Sequence, residues 1–104
     1  MIRVSVFYPS SGPESFDAGY YFANHYKLVT DRLGPEGLVS AQFDKGLADG
    51  AGGKPPFHAV AHLVFHSVND FQKAMGVHGK EIMGDVPNYT SITPLIQVNE
   101  IASG

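Results

Sequence analysis

Hydrophobic residues along this chain recur every second position in four segments and at helical spacing in two. The four segments with the alternation of a β-strand are 2–8, 38–45, 57–66 and 95–101. The segments with helical spacing are 15–33 and 68–75, and 78–83 can add one further turn to the second. The predicted order of elements is therefore β-α-β-β-α-β.

Capping residues and glycines set the expected limits of the first helix. Ser15 or Asp17 can cap its N-terminus, because short polar side chains accept hydrogen bonds from the first turn. Gly34 is expected at the position just past its end, where glycine is favoured, and Pro35 cannot continue the helix.

The second helix is predicted to be short. Ser67 begins a capping box in which Asp70 replaces the usual glutamate, and Gly76 and Gly79 are expected to interrupt the helix. The glycine- and proline-rich segment 46–56 is expected to form a mobile connection between two strands.

This order of elements predicts an α+β fold of the ferredoxin-like kind, as a single domain over residues 1–104 with one antiparallel sheet. The third strand carries Val60 and Val64 opposite Leu63 and Phe65, so both of its faces are apolar. A sheet with one face in water alternates more cleanly. We therefore expect a second sheet to cover the first, supplied by another copy of the chain in a homodimer.

Composition narrows the classes of partner. Only 16% of residues are charged while 43% are hydrophobic, the net charge is −3, and no basic run is present. Nucleic acid and membrane are therefore not expected as partners. The chain has no cysteine, no apolar run near 18 residues and no signal-peptide pattern, so a soluble cytoplasmic protein is expected.

One histidine falls on the apolar face of the first predicted helix. An α-helix turns by about 100° per residue. His25 therefore lies on the same stripe as the apolar residues Ala18, Phe22, Val29 and Leu33. The opposite side of the helix is polar, with Asn24, Lys27 and Asp31. The ring is either a general acid–base facing a pocket near Ala59 or Ala61, or a buried group bonded to a backbone carbonyl or to Tyr89.

Other histidines invite a metal site, which their spacing argues against. His58, His62 and His66 are four residues apart on a predicted strand, where four residues span roughly 13 Å. One ion with bonds near 2.1 Å cannot join them. A nicotinamide-binding glycine motif, a nucleophile elbow and Ser-His-Asp spacing are also missing, so no metal and no cofactor are expected.

Several segments together resemble the EthD family. They are Phe16 with Tyr20-Tyr21 and His25, His62 to Phe65, Asp70-Phe71, His78 to Thr90 and Pro94 to Ile101. The resemblance implies a dimeric α/β barrel of two ferredoxin-like protomers packed sheet to sheet. The family is linked to degradation of an ether fuel additive beside an oxidative system, and its relatives are often labelled reductases. Similar barrels include monooxygenases without cofactors and lactone isomerases.

The expected function follows from these residues and from the resemblance. We expect an EthD-like enzyme of catabolism acting on a compact apolar or aromatic molecule, by cofactor-independent oxidation of the oxidoreductase type or by proton transfer. The alternative is a non-catalytic ligand-binding or accessory protein of a degradation pathway. His25 would be the acid–base, and Asp85 either holds the imidazole in one tautomer or is a turn carboxylate.

The remaining site residues are expected to bind the ligand: Tyr21, Phe22, His62 and Tyr89. Both tyrosines also have a purely structural alternative. Tyr21 could be an aromatic side chain that fills the core, and Tyr89 could be a packed ring with its hydroxyl in water. The family helix commonly has a proline shortly after its histidine. Here Tyr26, Lys27 and Leu28 stand instead, which predicts a more regular helix.

Overall fold

One four-stranded antiparallel sheet and two helices make up the computed structural model, which describes all 104 residues. The strands are β1 (Ile2–Pro9), β2 (Ser40–Lys45), β3 (Phe57–Phe65) and β4 (Leu95–Glu100). Their order in the sheet is β2-β3-β1-β4, and every neighbouring pair is antiparallel. The predicted α+β fold with ferredoxin-like topology is confirmed.

Helix α1 is less regular than predicted, because it contains a π-helical turn. It consists of α-helical Ala18–Tyr20, π-helical Tyr21–His25 and α-helical Tyr26–Leu33. In the π turn the backbone N–H of Tyr26 donates to the carbonyl of Tyr21, five residues earlier. The expectation of a more regular helix was therefore wrong.

The limits of α1 agree with the sequence at both ends, and a 3-10 turn follows the second. Asp17 caps the N-terminus, where its Oδ1 accepts from the backbone N–H of Tyr20 at 3.1 Å. At the other end Gly34 keeps helical geometry with φ −50° and opens a 3-10 turn, Gly34–Glu36. The α-helix thus ends at Leu33, as predicted, and the left-handed position comes only after the 3-10 turn, at Gly37 with φ 99°.

Helix α2 (Val68–Asp85) is one continuous element of 18 residues, and the predicted interruption by glycines was wrong. Ser67 caps it as expected, with Oγ accepting from the backbone N–H of Asp70 at 3.1 Å. Gly79 is buried, and a Cβ there would lie 3.3 Å from Cε of Met75. The burial of Ala74 and Ile82 of the same helix in the core with the sheet offsets the cost of a helical glycine, which is about 1 kcal/mol. A 3-10 turn, Val86–Asn88, follows.

The two helices pack against one face of the sheet and bury the core there. Ile2, Val4, Leu63 and Phe65 from the central strands form it together with Val29, Leu33, Ala74 and Ile82 from the helices. The other face, here called the outer face, bears Phe7, Val60 and Leu95 among polar residues, and Leu95 is 57% exposed. The apolar content expected on both faces is present.

The glycine-rich segment connects β2 to β3, and Asp49 orders part of it. Oδ1 of Asp49 accepts from the backbone N–H of Ala51 at 2.9 Å and of Gly53 at 2.7 Å. Gly46 extends the strand pairing by donating to the carbonyl of His58 at 2.9 Å. Neither helix is both long and apolar enough to span a membrane.

Candidate active site between the first helix and the sheet

A histidine–aspartate pair joins the two helices beside the sheet. Nδ1 of His25 lies 2.9 Å from Oδ2 of Asp85, and the two side chains are 6% and 12% exposed. Because an ionised carboxylate only accepts hydrogen bonds, the shared proton lies on Nδ1. In the neutral ring Nε2 then carries the lone pair, as a general base requires.

The π turn places the side chains of this pair. The buried residues of α1 are four apart, at Tyr21, His25, Val29 and Leu33. On a regular α-helix each step of four drifts by about 40° around the axis. The wider π turn opposes that drift, so the first two residues of the series still face the sheet. Such turns are frequent at functional sites.

Asp85 is held by three donors. Besides His25, the hydroxyl of Tyr20 donates to Oδ1 at 2.6 Å and Nδ2 of Asn88 donates to the same oxygen at 2.9 Å. Burial by itself raises the pKa of this carboxyl, but the three hydrogen bonds together hold the pKa below its usual value. Asp85 is therefore ionised at neutral pH and keeps the imidazole of His25 in one tautomer.

Burial governs the protonation of His25. It lowers the pKa of the ring below the ordinary value of 6.5, and the hydrogen bond and charge of Asp85 oppose this shift only in part. The imidazole is therefore neutral at pH 7. A buried neutral imidazole with its tautomer held by a carboxylate can take up a proton at Nε2.

An apolar cavity of about 50 Å³ lies between the helices and the sheet, and His25 and Tyr21 line it. Ala61 is among the lining residues and Ala59 is not, so one of the two expected small neighbours faces this space. Nearly all other lining residues are hydrophobic, among them Phe43 and Met75. The cavity thus presents very few polar groups.

Tyr21 is fully buried, and its hydroxyl has no hydrogen-bond partner within the protein. Its ring stacks on His25 at 5.7 Å between centroids with an interplanar angle of 16°, and on Phe43 at 5.1 Å. Burial raises the pKa of the phenol far above its usual value. The hydroxyl is therefore protonated, and it is the one buried side-chain polar atom that the fold leaves unpaired.

Tyr89 packs against the pair, but its hydroxyl is already engaged. Its ring lies 4.8 Å from the ring of His25, and its hydroxyl shares a 2.6 Å hydrogen bond with that of Tyr8. A buried hydroxyl paired in this way is not in water. Since either oxygen can be the donor of this bond, the predicted donation of Tyr89 to a ligand stays a prediction. The purely structural alternative for His25 was a hydrogen bond to Tyr89 or to a backbone carbonyl. In the fold the ring is hydrogen-bonded to Asp85 instead.

Like Tyr89, two other predicted ligand-binding residues, Phe22 and His62, do not line the cavity. Phe22 lines a separate shallow hollow with Tyr26 and Asp44. His62 lies on the outer face, where Nδ1 is 3.0 Å from Oγ of Ser5 and Nε2 is 3.8 Å from Oδ2 of Asp44. Within one protomer neither residue shares a ligand with His25, and their predicted role stays a prediction.

The serine, histidine and aspartate on the outer face do not form a nucleophilic triad. Ser5 is only 3% exposed, and its Oγ also accepts from Asn99 at 3.2 Å. The 3.8 Å between His62 and Asp44 exceeds hydrogen-bond distance. No three or more residues among histidine, aspartate and glutamate lie close enough together to hold a metal ion.

Tyr20 and Asn88 were missed as site residues. Asn88 follows Asp85 by three residues, a spacing that places side chains on the same side of a helical turn. Tyr20 precedes His25 by five residues, which on a regular α-helix rotates the two by roughly 140°. Only the π turn lets both reach one carboxylate, and the sequence pattern gave no sign of that turn.

Comparison with known proteins places the chain. It is 39% identical to an EthD-like protein from Ralstonia eutropha JMP134, over 98% of this chain and 92% of that chain, with a TM-score of 0.89. A dimeric ferredoxin-like protein from an uncultured marine organism shares the fold at 14% identity, a TM-score of 0.60 and coverage of 100% and 97%. An antibiotic biosynthesis monooxygenase also shares the fold, at 9% identity and a TM-score of 0.61, over 99% of this chain and 100% of that chain.

The family comparison is more direct. No curated protein matched the sequence. The profile of the EthD domain, however, matches residues 9–93. Since that match spans most of the chain, and a solved EthD-like structure agrees along nearly its whole length, the chain belongs to the EthD family.

Proposed function

We propose that this protein is a small enzyme in which His25, oriented by Asp85, moves a proton of a compact apolar or aromatic molecule bound in the cavity. The observation that carries the proposal is the 2.9 Å hydrogen bond that joins Asp85 to His25, a residue that lines an apolar cavity. A catalytic base needs an available lone pair and a fixed direction, and the pair supplies both.

Two reactions fit a single base and begin with the same step. Removal of a proton from carbon starts the isomerisation of a lactone. Removal of a proton from a quinol makes an electron-rich anion that can react with dioxygen without a cofactor. The second is an oxidoreductase reaction, and the fold shared with a monooxygenase is compatible with it. The proposed cytoplasmic degradation pathway would supply substrates of this kind.

Turnover of a panel of quinols and lactones tests the proposal. His25→Ala should lower turnover by about 10² to 10⁴-fold, while circular dichroism shows a folded protein. His66→Ala is the matched control, because His66 is exposed just past the end of β3. Equal activity of both variants would refute the role of His25. Ligand binding that depends on His25, without turnover, would instead support the binding or accessory protein.

We further propose that the working form is a homodimer joined through the outer face. Phe7, Val60 and Leu95 form an apolar surface there, and the solved dimeric ferredoxin-like protein has the same fold. Such a dimer would cover the second apolar face that the strand pattern predicts.

Sedimentation at micromolar concentration should show one species near twice the 11.2 kDa chain mass. Val60→Glu should shift this species toward monomer, because it places a charge on the proposed contact. Leu47→Glu changes an 85% exposed residue of the connecting loop and should leave the dimer intact. A folded monomer of the unaltered protein would contradict the proposal.

A further inference from the structure

The unpaired hydroxyl of Tyr21 lies in a fully buried residue that also lines the cavity of His25. A buried hydroxyl without a partner destabilises a fold, and a ligand oxygen that accepts its hydrogen bond removes that cost. The two rings are nearly parallel, at 16°, and adjacent, at 5.7 Å. The cavity is thus lined by one residue with an unpaired hydroxyl and, next to it, one with a basic ring nitrogen, while the hydroxyl of Tyr8, which also lines it, is paired with that of Tyr89.

From this pairing we infer that the substrate is a compact, otherwise apolar unsaturated ketone or lactone, with a carbon–carbon double bond that is conjugated with its carbonyl or one carbon removed from conjugation. Tyr21 donates a hydrogen bond to its carbonyl oxygen, and His25 removes a proton from the carbon next to the carbonyl or from a carbon conjugated with it. The inference rests on the proposed role of His25 and adds the substrate class and a second catalytic group.

The reaction balances within the substrate and the side chain of His25. The C–H bond breaks, its proton goes to Nε2 of His25, and its electron pair forms a carbon–carbon double bond. The carbonyl π electrons move to the oxygen, which becomes the enolate oxygen that Tyr21 holds. Nε2 then returns the proton to another carbon of the conjugated enolate, so the double bond has moved and nothing is oxidised or reduced.

Burial suits each group to its part. It raises the pKa of Tyr21, so the phenol stays protonated and donates to the enolate without giving up its proton. It lowers the pKa of His25, so the imidazole is free to accept a proton at neutral pH. In surroundings that exclude water, the hydrogen bond to the developing negative charge is stronger than in water.

The size of the cavity limits the substrate. Its volume of about 50 Å³ is well below the roughly 150 Å³ of an engineered cavity that binds benzene. A ring of five or six atoms therefore enters only when flexible side chains give way. Met75 and Met83 are suited to this, since methionine has three rotatable bonds. Met83 is 42% exposed and Ile96 50%, which marks the side where the cavity reaches the surface.

Isomerisation of 3-cyclohexenone to 2-cyclohexenone tests the inference, because it needs one base and one donor to the enolate oxygen. The absorbance of the conjugated product reports the rate. Tyr21→Phe should lower kcat by about 10² to 10³-fold, the effect of removing one such donor, with a smaller change in KM. His25→Ala should also abolish catalysis. Tyr26→Phe removes a hydroxyl from a tyrosine that does not line this cavity and should leave the rate unchanged.

Each outcome separates this inference from the proposed function. Loss of activity in Tyr21→Phe but not in Tyr26→Phe supports it. Catalysis that needs His25 but not Tyr21 overturns it and leaves the role of His25 standing. It is also overturned if the unaltered protein turns over a quinol in a His25-dependent way and does not accelerate the isomerisation. No His25-dependent turnover of any of these probes overturns both.

Discussion

Tyr21→Phe should make the ligand-free protein more stable, although it removes a polar group from the site. The hydroxyl is buried with no partner in the protein, so the fold bears its desolvation cost. That cost is about 1–3 kcal/mol for a buried unsatisfied group. The aromatic ring and its contacts with His25 and Phe43 remain in the variant.

The loss of one oxygen atom opposes this gain only slightly. At about 24 cal/mol per Å³ of cavity, roughly 10 Å³ of added volume costs about 0.2 kcal/mol. The free energy of unfolding should therefore rise by about 1–3 kcal/mol. For a domain of this length, each kcal/mol raises Tm by roughly 4–8 °C.

Urea titration and thermal melts of both proteins, at equal protein concentration, measure the effect. Tyr8→Phe is the control, because its hydroxyl is paired with that of Tyr89 at 2.6 Å. Its removal leaves a partner unsatisfied, so this variant should lose about 1 kcal/mol or more. If Tyr21→Phe is destabilised as much as Tyr8→Phe, the hydroxyl of Tyr21 is bonded in solution and the reasoning about the site fails.

Three further predictions concern protonation and packing. Folding lowers the pKa of His25, so on acidification below about 6.5 the unfolded chain takes up a proton at this residue before the folded protein does. The free energy of unfolding should therefore decrease as the pH is lowered, until the pKa of the folded state is passed. In His25→Gln this decrease should be smaller, which unfolding measured at a series of pH values will show. Tyr20→Phe should raise the pKa of Asp85, because it removes a hydrogen-bond donor to the ionised carboxylate. Carbon NMR of the carboxyl group measures this pKa, and an unchanged value would contradict the role of Tyr20 in holding Asp85. Gly46→Ala should cost about 1–3 kcal/mol because its Cβ would meet the carbonyl of Phe57, whereas Gly50→Ala meets open space and should be neutral in the same melts.

The strands and their order followed from the alternation of apolar residues because burial on a sheet depends on a period of two. The central strands show this directly, since Val4 and Leu63 face the helices while Ser5 and His62, paired beside them, lie on the outer face. The caps at Asp17 and Ser67 were predictable for a similar reason. Each depends on one short polar side chain and the turn that follows it.

The helices were predicted less well where tertiary packing overrides local preference. Glycine weakens an isolated helix, which is why Gly76 and Gly79 were expected to break α2. In the fold Ala74 and Ile82 of α2 pack in one core with Leu63 and Phe65 of the sheet, and Gly79, which lies between them in sequence, is also buried. A single sequence does not show such a contact between elements.

The site was predictable in its centre and not in its surroundings. His25 and Asp85 could be named because a titratable ring on an apolar stripe and a carboxylate near the sheet are visible in the sequence. Their donors could not, since Tyr20 reaches Asp85 only through a π turn that the 3.6-residue period excludes. Likewise, the burial of Tyr21 could be expected, but the lack of a partner for its hydroxyl is a property of the packed fold.

Three features that oppose folding lie together, and their cost to stability supports the proposed site. A π turn, a buried imidazole with a lowered pKa and an unpaired phenol each oppose folding, and all three meet at the cavity beside Asp85. Packing alone would favour a regular helix with phenylalanine at position 21. Local conflicts of this kind persist where function requires them. The proposed general base and the proposed hydrogen-bond donor belong to two residues that line the same apolar space, which is the arrangement that proton transfer from carbon requires.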